Sequence, residues 1–90
     1  MKRFLIIDED AEYRRGLRYY LEVEWPDASI HEHQPKTADL SPTSLRLENF
    51  DAVLLGYSID RDEGLARLRA LRAVAGCPPV LVFEIGRAHV

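Results

Sequence analysis

The sequence predicts a single small α/β domain built on a parallel sheet. Two short, uninterrupted apolar runs, at 4–7 and 52–55, are typical of strands that are buried on both faces, and a third apolar run stands at 80–83. Segments with helical periodicity separate these runs, and strands joined by helical crossovers lie parallel, with helices on both faces of the sheet. The expected order is β-α-β-(loop or helix)-β-α-β, and a chain of 90 residues makes one domain at most.

The expected strands differ in how strongly the sequence marks them. The continuous apolar runs stand at 4–7, 52–55 and 80–83. A weaker strand with alternating apolar residues is expected at 28–32, at an outer position of the sheet. Two prolines and several Ser, Thr and Asp residues indicate a loop over 33–49, with at most a short helix at 43–47.

The first helix is expected to begin at Ala11 and to end at residue 24 or 25. Asp10 is a good N-cap for it, and Pro26 ends it because proline is excluded from a helix interior. The apolar side of this helix consists of Tyr13, Leu17, Tyr20 and Leu21. The opposite side carries Glu12, Arg14, Arg15 and Arg18. Tyr19, Tyr20 and Trp25 are expected to pack the helix and its end.

The second helix is expected over about 63–75. Its buried stripe should consist of Leu65, Leu68, Leu71 and Val74. The arginines at 67, 69 and 72 are expected on its outer, solvated face.

Composition excludes several functional classes. The net charge of -3 argues against a nucleic-acid-binding surface, because phosphate binding needs a basic patch. The single Cys77 excludes a disulfide framework within the chain and fits a reducing cytoplasm. No apolar run approaches the length of a membrane span. A cytoplasmic protein is therefore expected.

Polar residues follow two of the predicted strands. Asp8 and Glu9 come after the first strand, and Gly56 and Ser58 come after the third. The carboxyl ends of parallel strands meet at one edge of a sheet, where ligands bind in open α/β folds. Carboxylates and a backbone carbonyl there would form a hard-oxygen site for Mg²⁺. In the simpler alternative, Asp8 and Glu9 only favour the positive end of the following helix.

Taken together, the segments 5–10, 14–15, 51–56, 64–65 and 79–83 resemble the receiver domain of bacterial response regulators. The acidic pair after strand 1 and the eight-residue spacing from Gly56 to Gly64 carry most of the resemblance. It implies a flavodoxin-like parallel sheet with strand order 2-1-3-4. It also implies phosphorelay signal transduction, with a histidine kinase or other signalling protein as partner.

The resemblance assigns roles to individual positions. Asp8 and Glu9 match the pair that binds Mg²⁺, and Ser58 matches the residue whose backbone carbonyl completes that site. Gly56 stands at the phosphoacceptor position, and Glu84 stands at the switch position, where the family has Ser or Thr. Strand 5 and helices 4 and 5 of the family lie beyond this chain, as would an output domain.

Gly56 removes the family's central chemistry. Without a carboxylate at that position there is no nucleophile, so the usual acyl phosphate cannot form. The loss of one of three carboxylates also weakens Mg²⁺ binding. The expected function is that of a receiver-like regulatory domain that is not phosphorylated. In the alternative, the chain is a pseudo-receiver that acts in a larger regulator through protein contacts alone.

The carboxyl end has a separate interpretation. The last seven residues, 84–90, correspond to the translation of a common sequencing-adapter sequence. We therefore expect a partial receiver-like domain over 1–84 and a non-native tail over 85–90, so that Glu84 at the switch position is doubtful as a functional residue.

Two other site hypotheses arise from the residues. An apolar strand followed by Asp8 and Asp10 also begins haloacid-dehalogenase-like phosphatases, in which the first Asp is the nucleophile. The residues after Asp10 depart from that family's pattern, so a non-enzymatic protein is expected. His31 and His33 lie two apart, as in some metal sites, but surface histidines are the usual explanation.

Overall fold

The computed structural model describes residues 1–35, 46–56 and 61–83. Within these residues, four strands and two α-helices follow one another in the predicted order. The strands are β1 (Arg3–Ile7), β2 (Ser29–His33), β3 (Ala52–Gly56) and β4 (Val80–Phe83). The helices are α1 (Ala11–Glu24) and α2 (Arg61–Arg72), and a 3-10 turn spans Leu47–Asn49. That turn lies at the end of the predicted short helix, whose residues 43–45 fall outside the described part.

The four strands form one all-parallel sheet in the order β2-β1-β3-β4, which confirms the predicted strand order. β1 and β3 are the inner strands, and Ile7 lies opposite Leu55 in their register. The carboxyl ends of β1 and β3 are therefore neighbours. β4 forms one edge of the described sheet, where Leu81 and Val82 are exposed.

The two faces of the sheet each bury a separate apolar cluster. On one face, Leu5, Ile7, Val53 and Leu55 pack with Leu47 and with Leu71 of α2. On the other, Phe4, Ile6 and Leu54 pack with Leu21 of α1. Successive strand residues point to opposite faces. A strand covered on both sides must therefore be apolar throughout, which explains the continuous runs in β1 and β3.

α1 begins and ends where the sequence predicts. The Asp10 carboxylate accepts hydrogen bonds from the backbone N–H groups of Glu12 (2.9 Å) and Tyr13 (3.4 Å), as an N-cap does. At the other end, the backbone N–H of Trp25 donates to the carbonyl of Leu21 at 2.8 Å. The Trp25 ring contacts that of Phe4, with centroids 5.3 Å apart, so its predicted packing at the helix end is confirmed.

The predicted orientation of α1 is partly wrong. Leu21 is buried, but Tyr19 and Tyr20 are 69% and 57% exposed. The helix is instead rotated so that the side chains of Arg14 and Arg18 contact β2 and the carboxyl end of the sheet. Arg14 Nε and Arg18 Nε bind the two carboxylate oxygens of Glu32 at 3.1 and 2.7 Å.

Backbone contacts reinforce this rotation of α1. Arg18 Nη2 donates to the carbonyl of Ile30 at 3.0 Å, and Arg14 Nη1 donates to the carbonyl of Asp8 at 2.6 Å. We call Arg14, Arg18 and Glu32 the α1–β2 clamp. The two arginines, and not Tyr20, therefore contact β2 at the margin of the buried face.

α2 also departs from its predicted bounds. It spans Arg61–Arg72, so it begins and ends earlier than the expected 63–75. Leu71 is buried in the core, and Leu68 and Val74 pack against it, as predicted. The prediction that Arg67 is solvated is wrong, since Arg67 is only 7% exposed.

The α1–β2 clamp should make stability depend on pH. The hydrogen bond from Arg18 is the main cause that lowers the pKa of Glu32 from its ordinary 4.5; burial opposes this, and Arg14 adds to it. Because the folded-state pKa is below the unfolded one, the stabilisation is complete above the unfolded pKa and is lost as the pH falls through the folded pKa. Glu32→Gln should cost about 1 kcal/mol at about pH 7 and clearly less at about pH 3, measured by urea unfolding.

The matched control is Glu22→Gln. Glu22 also pairs with Arg18, at 3.5 Å, but its side chain is 53% exposed, so a smaller loss is expected. An equal loss for Glu32→Gln at both pH values would contradict the role given to the clamp.

Candidate functional site

The candidate site lies at the adjoining carboxyl ends of β1 and β3. Asp8 directly follows β1, and Gly56 is the last residue of β3. The prediction that the polar residues after these two strands are neighbours is confirmed for Asp8 and Gly56. Ser58 and Glu84, the other two predicted positions, fall outside the described residues.

The Asp8 side chain fills the space above Gly56. Asp8 is fully buried, and its Oδ1 accepts a hydrogen bond from the backbone N–H of Asp10 at 2.7 Å. A Cβ added to Gly56 would overlap Asp8 Oδ2 and lie only 2.8 Å from Asp8 Cγ. The carboxylate can therefore occupy this place only because residue 56 has no side chain.

Tyr13 closes the same space from α1. Its Cε2 would lie 3.1 Å from a Cβ at position 56. Burial, followed by the negative charge of Asp8, raises the pKa of the Tyr13 phenol, so the ring stays neutral beside the carboxylate. Sequence reasoning placed Tyr13 only in the apolar stripe. The sequence signal that could have placed Tyr13 at this site was its position one turn into the helix that Asp10 caps.

Glu9 forms an ion pair with Arg67 of α2, which is distant from it in the sequence. Arg67 Nη2 lies 2.5 Å from Glu9 Oε2, and the two side chains are 9% and 17% exposed. Arg67 reaches the sheet edge because Gly64, Arg67 and Leu71 share one buried face of α2. Removing one partner of such a pair costs about 3–5 kcal/mol, since the other charge is left buried.

The acidic pair does not form an open set of metal ligands. Asp8 Oδ1 accepts a backbone N–H, and Glu9 is engaged by a guanidinium. In the part of the chain that the structure describes, no three His, Cys, Asp or Glu side chains could share a metal ion. To reach Glu9 in this arrangement, Mg²⁺ would have to displace the Arg67 guanidinium, and the ion needs several oxygen ligands.

The other residues that the sequence offered as candidates are His31, His33 and Cys77. The His31 ring lies 3.2 Å from Ser29 Oγ and packs edge-on against Phe50, with centroids 5.4 Å apart. Neither His31 nor His33 belongs to a metal-binding group in the described residues. Burial is the main cause that raises the pKa of the Cys77 thiol, which keeps it protonated and weakly nucleophilic.

Comparison of the chain with protein-family models, with curated protein sequences and with solved structures gave no match. Among the described residues, neither helix has the length and apolar character required to cross a membrane.

The contact between Asp8 and Gly56 makes a direct prediction about stability. Gly56→Ala should lower the free energy of unfolding by about 1–3 kcal/mol, because Asp8 must leave its buried place and its hydrogen bond to Asp10. Urea unfolding measures the change.

Gly16→Ala is the matched glycine control. Gly16 lies exposed in α1 with nothing within 4 Å of an added Cβ. Alanine there should stabilise the protein by about 0.5–1 kcal/mol through helix propensity. If Gly56→Ala were as stable as the parent, the close packing of Asp8 on Gly56 would be disproved.

Proposed function

We propose that this chain is a receiver-like regulatory domain of a cytoplasmic two-component signalling protein, acting through protein contacts and not through phosphorylation. One observation carries the proposal: the Asp8 carboxylate occupies the space above Gly56 at the end of β3. The acidic pair and the strand order 2-1-3-4 support a receiver-like, flavodoxin-like fold. Because the Asp8 carboxylate fills the space above Gly56, this geometry supports a domain that does not accept a phosphoryl group.

Phosphoryl transfer to a receiver requires a carboxylate nucleophile at position 56. Glycine has no such group, and no acyl phosphate can form on it. Asp8 is a poor substitute, because it is fully buried and held by the N–H of Asp10. Asp10 in turn is the N-cap of α1. These engagements also argue against the phosphatase alternative, in which Asp8 and Asp10 would face a substrate.

The outer face of α1 supports a protein partner. Tyr19, Tyr20 and Val23 are 69%, 57% and 57% exposed, and they form one apolar patch on the helix surface. We call these three residues the α1 patch. Large exposed apolar patches mark interaction sites, and tyrosine is favoured in interface cores. A partner that fits is an amphipathic helix of a signalling protein such as a histidine kinase.

The absence of phosphorylation can be tested directly. The parent chain, incubated with acetyl phosphate and Mg²⁺, should gain no hydroxylamine-sensitive phosphate by mass spectrometry, because residue 56 supplies no nucleophile. Gly56→Asp combined with Arg67→Gln restores a carboxylate at the same place and uncovers Glu9 for the metal, so this double variant should become labelled as Asp8 is displaced. A phosphorylated parent would refute the proposal.

The same protein preparations test the phosphatase alternative. The parent should not hydrolyse p-nitrophenyl phosphate in the presence of Mg²⁺. Turnover that Asp8→Asn abolishes would revive the enzyme hypothesis and count against the proposed function.

The α1 patch predicts a change in partner binding. The double variant Tyr19→Ser/Val23→Ser should bind a histidine kinase helical segment at least about tenfold more weakly than the parent, because both exposed anchors are lost. Fluorescence anisotropy against a panel of such segments from the same genome measures the affinity.

Two controls accompany the binding measurement. Glu24→Ser, at an exposed polar position of the same helix, should bind like the parent. Acetyl phosphate should leave the affinity unchanged. Binding that needs the phosphodonor, or that is unaffected by the double variant, would contradict the proposed mode of action.

A further inference from the structure

The candidate site contains a cation of its own. The Arg67 guanidinium lies 2.5 Å from Glu9 and is almost completely buried at the edge where β1 and β3 end. Arginine is rarely buried without such a partner. Its position therefore calls for an explanation beyond the amphipathic pattern of α2, which would place an arginine in solvent.

Charge balance explains why a cation is needed here. Asp8 and Glu9 are consecutive carboxylates, one fully buried and the other largely so. Two negative charges in a poorly solvated place repel each other. A divalent ion or a guanidinium can each supply the compensating positive charge, but both require the carboxylate oxygens of Glu9.

The geometry also shows which of the two cations the site accepts. Glu9 Oε2 is at hydrogen-bond distance from Arg67 Nη2, so a metal ion can take this oxygen only by displacing the guanidinium. The Asp8 side chain is fixed by the hydrogen bond from the N–H of Asp10 and by its close packing above Gly56.

We propose that Arg67 is the resident cation of the acidic pair, which keeps the site ordered without a divalent metal and excludes the metal from it. The inference deepens the proposed function and rests on it only in taking Asp8 and Glu9 as the acidic pair of the site. Because Arg67 is covalently part of the chain, the charge balance of the site does not vary with the concentration of divalent ions.

Manganese binding tests the proposal, because Mn²⁺ accepts the same oxygen ligands as Mg²⁺ and unbound Mn²⁺ is measured by electron paramagnetic resonance. In the full chain, Arg67→Gln should bind Mn²⁺ at least about tenfold more tightly than the parent, since it uncovers Glu9 and removes a positive charge. Arg67→Lys should behave like the parent, because it keeps the charge.

The matched control is Arg69→Gln, which removes the same charge from an exposed position of the same helix. It should bind Mn²⁺ like the parent. Equal tightening by Arg67→Gln and Arg69→Gln would show a general charge effect and overturn the proposal. Tight binding by the parent, or no gain in Arg67→Gln, would overturn it as well.

Thermal unfolding followed by circular dichroism covers the case in which Arg67→Gln folds poorly. Mn²⁺ should then raise its melting temperature and leave that of the parent unchanged, relative to NaCl of equal ionic strength; no rise in the variant would overturn the proposal. The double variant Glu9→Gln/Arg67→Gln should show no gain in Mn²⁺ affinity. None of these measurements involves a phosphodonor or a partner, so failure of the proposed function would be distinguishable from failure of this inference.

Discussion

The close approach of Asp8 to Gly56 is the constraint on which the site depends. A fully buried carboxylate is costly unless its oxygens are hydrogen-bonded and its charge is balanced. The Oδ1 of Asp8 accepts a hydrogen bond from the N–H of Asp10, and the side chain can take its place only because position 56 offers an empty volume. The inner strands of the sheet therefore end in a contact that a larger residue would break.

Both helices are oriented by arginines that reach this edge of the sheet. Arg14 of α1 donates to the carbonyl of Asp8, while Arg67 of α2 pairs with Glu9. The charged contacts therefore connect α1 and α2 to the same two residues after β1. They also set the rotation of α1, because the arginines turn inward and the α1 patch turns outward. The need to balance the negative charge of Asp8 and Glu9 at the carboxyl end of the sheet thus affects both the candidate site and the exposed α1 patch.

The same arrangement accounts for the proposed loss of chemistry. A receiver that accepts phosphate needs a nucleophile at position 56 and a metal beside it. In this chain a neighbouring carboxylate fills the first place, and a guanidinium engages Glu9, which the proposal assigns to the metal. The groups that stabilise the sheet edge are those that would have to move for phosphoryl transfer. Under the proposed function, the contacts that stabilise this edge therefore compete with phosphoryl transfer.

Sequence alone determined the elements and their order. The continuous apolar runs of β1 and β3 specify strands buried on both faces, and the capping side chain of Asp10 specifies the start of α1. The same reasoning identified Asp8 and Gly56 as neighbours, because parallel strands end at a common edge. These features depend on local chemistry and on topology, both of which the order of residues encodes.

Only the tertiary structure decided which polar side chains turn inward. Periodicity ranks the residues around a helix, but it does not state how far the helix rotates once it packs. The exposure of Tyr20 and the burial of Arg67 were therefore both mispredicted. The partner of Arg67, Glu9, is 58 positions away in the chain, and no local pattern connects the two. Their pairing follows from the packing of α2 against the sheet, which brings a buried cation to a buried acid.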